Sequence, residues 1–417
     1  MTSHLASSSP PLRPLLAGIV ALAAAMGIGR FAYTPILPAM LAEGRLDTTQ
    51  AGLLASANYA GYLVGALAVA LAVPRSAQTL VLRVSAIAVA ATTALMAVTT
   101  GLAAWGLVRF ASGLASAGVF VLASGLVLDA LRQQGQAARS GWLYSGVGLG
   151  IVISGVVVRA TGGALGWRGD WAVLALLAAV AIYPGWRWLP RSRGAGAVTE
   201  TMRGIGLGVV SPALILLFAA YFLEGVGYIV SGTFLVAIVD AMPGLAGLGS
   251  GVWIVVGLAV IPSSALWAAS AARIGYARAL VAAYALQGCG IALPLAGGAG
   301  AAFASAVLFG GTFAGITALT LALAGFLSPR RSASLIGALT ASFGMGQVVG
   351  PVLAGFIASR AHGFAPALIV ASGVIFAAAA LMVALHLFDA APRIGGGAPL
   401  AASTGPQAQN PREREVR

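Results

Sequence analysis

Two ionisable side chains stand in the middle of long apolar runs. The chemistry open to them is the binding of a charged solute and the carriage of a proton. Arg30 lies within Met26-Gly-Ile-Gly-Arg-Phe-Ala-Tyr-Thr-Pro-Ile-Leu-Pro-Ala-Met40. In a helix from about Pro14 to about Ala39 it sits roughly 15 Å from the far end, at about 1.5 Å of rise per residue. Bilayer hydrocarbon is about 30 Å thick, so this guanidinium is deep, where a charge is costly and faces a bundle interior, a partner or a water-filled cavity. Glu224 follows Pro212 in another apolar run, roughly 18 Å along its helix. A carboxyl at that depth is a candidate for taking up and releasing a proton. Arg109 is a third intramembrane ion, roughly 12 Å into its helix. Asn58, Tyr59, Tyr144, Tyr221, Tyr228, Trp253, Phe343 and Gln347 are candidate walls of the cavity these charges require. Asp129 falls at the end of the Arg109 helix and reads as a gate partner for Arg75 or Arg139.

Other chemistries are excluded by residues the chain lacks. It contains no lysine, so it has no phosphate-binding loop that ends in one. His4, His362, His386 and Cys289 show no metal-ligand spacing. No Ser/His/Asp constellation shares a membrane region. The expectation is a protein with no metal, no cofactor and no catalytic centre, and a single cysteine excludes an internal disulfide.

The elements that must position these residues are membrane helices. Of 417 residues, 59% are hydrophobic and only 8% charged, and mean hydropathy is +0.97; a soluble domain needs far more polar surface. Apolar runs long enough to span recur throughout, at about 14–39, 50–73, 78–98, 101–130, 138–160, 170–189, 210–239, 247–270, 276–296, 299–326, 332–358 and 364–388. The 57 glycines suit close helix contact in lipid. All 23 basic residues are arginine. Seventeen fall on the loops and tails of one side, and four (Arg45, Arg159, Arg168, Arg360) on the other. That bias places both termini in the cytoplasm and accounts for the net charge of +13 without a nucleic-acid partner.

The chain repeats itself. Met26-Gly-Ile-Gly corresponds to Glu224-Gly-Val-Gly at an offset of 198, Arg109-Phe to Leu308-Phe at 199, and Gly146-Val-Gly to Gly344-Met-Gly at 198. The expected organisation is an N-terminal six-helix bundle (1–189), a polar linker (190–208), a C-terminal six-helix bundle (209–389) and a disordered tail (390–417). Parallel repeats place a site at the midplane between halves. The repeat relates Glu224 to Met26, one turn from Arg30. Arg30 and Glu224 are therefore expected to project into one cavity and to pair in one conformational state.

Several motifs resemble the major facilitator superfamily over nearly the full length. Arg109-Phe-Ala-Ser-Gly113 followed by Leu-Ala-Ser-Ala is similar to its fourth-helix pattern, and Gly346-Gln-Val-Val-Gly350-Pro351 to its eleventh. Ala268-Ala-Ser-Ala-Ala-Arg273-Ile-Gly275 resembles the loop between helices eight and nine, with Ala272 at the acidic position of the gate. The loop between helices two and three starts at Gly65-Ala-Leu-Ala but carries Val69 at that position. The opening motif, with Ala57-Asn-Tyr-Ala-Gly-Tyr-Leu-Val-Gly65, resembles the YbfB/YjiJ-type branch. The resemblance implies twelve helices in two pseudo-symmetric bundles, alternating access, a gate role for Arg273 and a part for Arg109 in proton coupling. The function expected is secondary transport of a small organic molecule across a bacterial inner membrane, coupled to protons, in a lipid-embedded monomer, with efflux favoured. The alternatives are a uniporter and a non-transporting sensor on the same fold.

Overall fold

The computed structural model describes residues 12–189, 211–327 and 332–388. The linker and tail expected at 190–208 and 390–417 lie outside the described residues, as do the assignments that rest on them. Eleven helical stretches are long and apolar enough to cross a membrane. They are α1 (Leu12–Ala42), α2 (Thr48–Ala72), α3 (Gln78–Val98), α4 (Leu102–Gln133), a long stretch Ser145–Trp188, α7 (Pro212–Asp240), α8 (Gly249–Ile274), α9 (Tyr276–Ala292), α10 (Gly298–Leu327), α11 (Ser332–Arg360) and α12 (Ala365–Phe388).

The stretch Ser145–Trp188 is two crossings rather than one. Gly166 adopts φ 62° and ψ 178°, a conformation open to glycine and strained for other residues. Thr161 donates to Asp170 across this break at 2.6 Å, although nine residues of straight helix would hold them about 13 Å apart. Further on, Trp186 lies against Arg83 near the start of α3. The chain therefore reverses at Gly166, giving α5 (145–165) and α6 (167–188). The expected loop at 160–170 is a one-residue turn, and the described residues cross the membrane twelve times.

Helices pack through glycines where a Cβ would strike backbone. Gly27 of α1 lies against Gly150 of α5, and Gly225 of α7 against Gly346 of α11. In the same way Gly61 and Gly113 join α2 to α4, and Gly310 joins α8 to α10. The contacts recur in both halves of the chain, as the sequence offsets require. Small residues here let backbones approach, and dispersion does the work that water does in soluble cores.

The first helix is not a continuous α-helix. It runs as α-helix over Leu12–Leu22, widens to a π-helix over Ala23–Ile28, loosens, and resumes as α-helix over Tyr33–Ala42. Gly29 and Phe31 donate five residues back, to Ala24 and Met26, each at 2.9 Å. Pro35 has no amide hydrogen, so it cannot serve the Phe31 carbonyl, which accepts instead from Thr34. Arg30 sits in this loosened turn.

Candidate functional site

A cavity of about 420 Å³ lies between the halves, walled by α1, α2, α4, α5, α7, α8, α10 and α11. Its lining comes from the part of each helix nearer the chain-terminal end. On α1 it starts at Met26 and Arg30, at the entry to α5 it takes in Tyr144 and Val147, and on α11 it runs from Thr340 to Gln347. At the opposite end the halves meet directly. Thr34 donates to the Gly232 carbonyl, Thr48 to that of Gly355 at 3.2 Å, and Gly52 packs on the Pro351 carbonyl. Between these contacts the Tyr59 hydroxyl lies 3.5 Å from that of Thr233.

Among the described residues, Arg30 is the one charged side chain on the cavity wall. It is 2% exposed. Its Nη2 donates to Gln347 Oε1 at 2.8 Å, and the Gln347 amide donates in turn to the Tyr228 hydroxyl. The guanidinium carbon stands 4.2 Å from the Tyr62 ring centre, 4.7 Å from Tyr59 and 5.5 Å from Phe31. Such cation–π contacts partly replace lost hydration. Nε has no hydrogen-bond acceptor, and among the described residues no carboxylate forms an ion pair with this arginine.

One wall of the cavity is a stack of nearly parallel aromatic rings. Tyr221 stacks on Phe343 at 4.6 Å and 14°, Tyr228 on Phe343 at 5.3 Å and 14°, and Tyr228 on Phe313 at 5.7 Å and 22°. The Tyr228–Gln347–Arg30 chain joins this wall to the charge.

Arg109 does not line the cavity. It donates to the carbonyls of Gly29 at 3.3 Å and Arg30 at 3.2 Å, and Ser112 adds a second donor to Gly29 at 2.8 Å. These carbonyls lie in the loosened turn of α1, so α4 supplies donors that a regular helix would have supplied itself. Asn58 holds Arg109 from the far side, donating to its backbone carbonyl at 2.9 Å. Arg109 and Asn58 therefore shape the support of Arg30.

Glu224 departs from expectation. It is fully buried, yet it is not on the cavity wall. Among the described residues neither carboxyl oxygen has a hydrogen-bond donor, and the expected pairing with Arg30 is not formed. Its surroundings are Gln287 and Tyr284 of α9 and Tyr221 of α7, with Thr320 of α10 beside Tyr284. Gly27 and Gly225 make corresponding contacts in the two halves, so Met26 and Glu224 do occupy equivalent positions. Met26, however, lines the cavity, whereas the same position of α7 points into the α9–α10 side of its own half. Sequence offset fixes depth and not rotation toward a particular neighbour.

Of the expected wall residues, Tyr144, Tyr221, Tyr228, Phe343 and Gln347 line the cavity. Tyr59 touches Arg30 from outside it. Trp253 is consumed in the α5–α8 contact, where its indole donates to Ser154 at 3.3 Å. Asp129 meets Arg132, three residues on, at 3.8 Å. Arg139 and Arg273 are exposed at the chain-terminal end. Tyr62, Phe120, Phe313 and Thr317 are among the further lining residues that were not anticipated. Tyr62 was within reach, since it follows Asn58 and Tyr59 by one turn on the same face.

Solved structures share this architecture. A nucleoside transporter, NupG, superposes with a TM-score of 0.68 at 16% identity, covering 90% of this chain and 98% of that one. A single-residue variant of NupG gives 0.69 at 14%, covering 89% and 99%. At such identity the likeness concerns the fold alone. A search of curated proteins finds no match. The model of a family described as the uncharacterised MFS-type transporter YbfB matches residues 22–383. With the twelve crossings and the cavity between halves, that match makes the chain a multi-pass membrane transporter, not an enzyme, and a member of the YbfB family of the major facilitator superfamily.

Proposed function

We propose that this protein is a proton-coupled secondary transporter that moves a small organic molecule across the bacterial inner membrane by alternating access. It works as a monomer with both termini in the cytoplasm. The observation that carries this reading is the cavity of about 420 Å³ between the halves, on the chain-terminal side of Arg30, with the halves in contact at the other end. In that orientation the structure is the cytoplasm-facing state. Its size falls within the range of about 300–1,000 Å³ usual for small-molecule sites. Export is the favoured direction, because a wall with one charged group suits compounds of low polarity. Glu224 is the proton site, as the only acidic side chain near the middle of its membrane helix among the described residues. Because it lies behind Tyr221 rather than in the cavity, its proton acts on the substrate site through the aromatic wall. Asp129, Arg75, Arg139 and Arg273 serve the cytoplasmic gate.

The test is substrate-driven proton movement. Purified protein in liposomes with an internal pH dye is challenged with a compound library, wild type beside Glu224→Gln. A pH change seen with wild type and lost in the variant, while substrate still binds, is the expected result. Uptake without a pH change in either protein makes this a uniporter and leaves Glu224 a structural group. Silence across the library overturns proton coupling and leaves the family assignment, which rests on the match over residues 22–383, untouched.

A further inference from the structure

If the cavity is a transport site, its walls also select the class of molecule that fits it. Resting on that transporter reading, we infer that the cavity takes a monoanion made of one carboxylate on a flat aromatic body. The carboxylate is held by Arg30 and the body lies along the Tyr221–Phe343–Tyr228–Phe313 wall.

Charge argues first. Arg30 is a buried cation with no carboxylate partner among the described residues, and Nε has no acceptor. Its Nη2 is turned to Gln347, so the guanidinium plane is fixed by a bond to a neutral group and not consumed by an ion pair. A ligand carboxylate completes the set with charge-assisted hydrogen bonds, for which the planar fork of arginine is suited. One negative charge neutralises the site. A dianion leaves a net charge in a cavity walled mostly by carbon, and a cation meets Arg30 without a counter-ion on the wall.

Shape argues second, and independently. The four rings lie within about 22° of their neighbours, at centroid distances from 4.6 to 5.7 Å. Rings usually meet at varied angles, edge-to-face included. Rings stacked at these distances turn their edges to the side, and the positive edges of the four rings suit the negative face of a flat aromatic body laid across them, which a puckered saturated body of equal volume lacks. Gln347 and Tyr228 set the distance from the ring stack to the charge, because one hydrogen-bonded chain carries both. An aromatic cage for a quaternary ammonium uses similar rings; the Arg30 guanidinium is what excludes that ligand here.

The experiment uses four probes of nearly one size on the full-length protein in nanodiscs, by calorimetry with empty discs subtracted. They are 2-naphthoate, its neutral amide, 2-naphthylmethylamine as the cation, and decalin-2-carboxylate as the puckered anion. The expected result is that naphthoate binds at least about tenfold more tightly than the amide, as a charged hydrogen-bond pair provides, and that the amine does not bind. Arg30→Gln is expected to level naphthoate with its amide. Arg30→Lys keeps the charge without the fork and is expected to fall between. Phe343→Leu is expected to weaken naphthoate about two- to tenfold and leave the decalin acid unchanged. The wild-type comparison needs no variant, so a misfolded Arg30→Gln does not rescue the idea. Equal binding of acid and amide overturns the anion assignment, and equal binding of the flat and puckered acids overturns the aromatic one. If none of the four binds, the inference fails, while transport of another solute would leave the transporter reading intact. Naphthoate that binds selectively but is never moved by liposome-embedded protein has the opposite meaning.

Discussion

Arg109 serves the backbone of another helix. Its guanidinium reaches the Gly29 and Arg30 carbonyls in a loosened, buried turn, sharing the first with Ser112. Replacing it with alanine strands the Arg30 carbonyl, leaves Gly29 with Ser112 alone, and is expected to cost about 1 to 3 kcal/mol of stability. Arg109→Lys, able to reach one carbonyl at a time, should lose roughly half as much; thermal unfolding in detergent orders the three proteins. A lysine variant no more stable than the alanine variant would show that donation to these carbonyls does not set the role of this position. The depth of Arg30, Glu224 and Arg109 was legible in the sequence, because depth follows from counting along an apolar run. Their partners were not. Gln347 lies 317 residues from Arg30, and Gln287, Tyr284 and Thr320 around Glu224 come from two further helices. A lone glutamine in the apolar α9 was the one available sign of that cluster.

At the scale of helices, glycine positions decide which pairs touch. A Cβ on Gly27 would overlap the backbone of Gly150 and Ile151, and one on Gly346 that of Phe222 and Val226. Gly27→Val and Gly346→Val are each expected to destabilise by about 3 kcal/mol or more, since backbone on both sides cannot yield as a side chain does. Gly373, with nothing within 4 Å of its absent Cβ, should accept alanine without loss. Monodispersity on size-exclusion and unfolding temperature separate the two outcomes. The agreeing offsets made the Gly27 and Gly225 contacts legible as a repeat. The turn at Gly166 was not legible, because a glycine-rich stretch with Arg168 and Asp170 reads as a loop whether it takes ten residues or one. The loosening of α1 was half visible. Pro35 and Pro38 announce missing donors, but apolar periodicity carries no trace of a π-helix.

For the whole molecule, the twelve-crossing fold was legible and the rotation of α7 was not. The closed end should be a moving part, since a substrate that enters on one side must leave through it. Thr48 and Gly355 face each other across this end, with the Thr48 hydroxyl donating to the Gly355 carbonyl at 3.2 Å. In a Cys289→Ala background, Thr48→Cys is expected to react faster with a membrane-impermeant thiol reagent while substrate is being transported than at rest, and the modified protein to lose transport. Reactivity unchanged by substrate, with full transport after modification, would show that this end never opens. The seal there is made of hydroxyls on carbonyls and glycines on backbone, while the ion pairs Arg45–Glu43 and Arg132–Asp129 each stay within one half. Mobile ions in the medium weaken attractions between exposed opposite charges and scarcely touch contacts of this kind. The ease with which that end parts is therefore a property of fit alone, indifferent to the saltiness of the water outside.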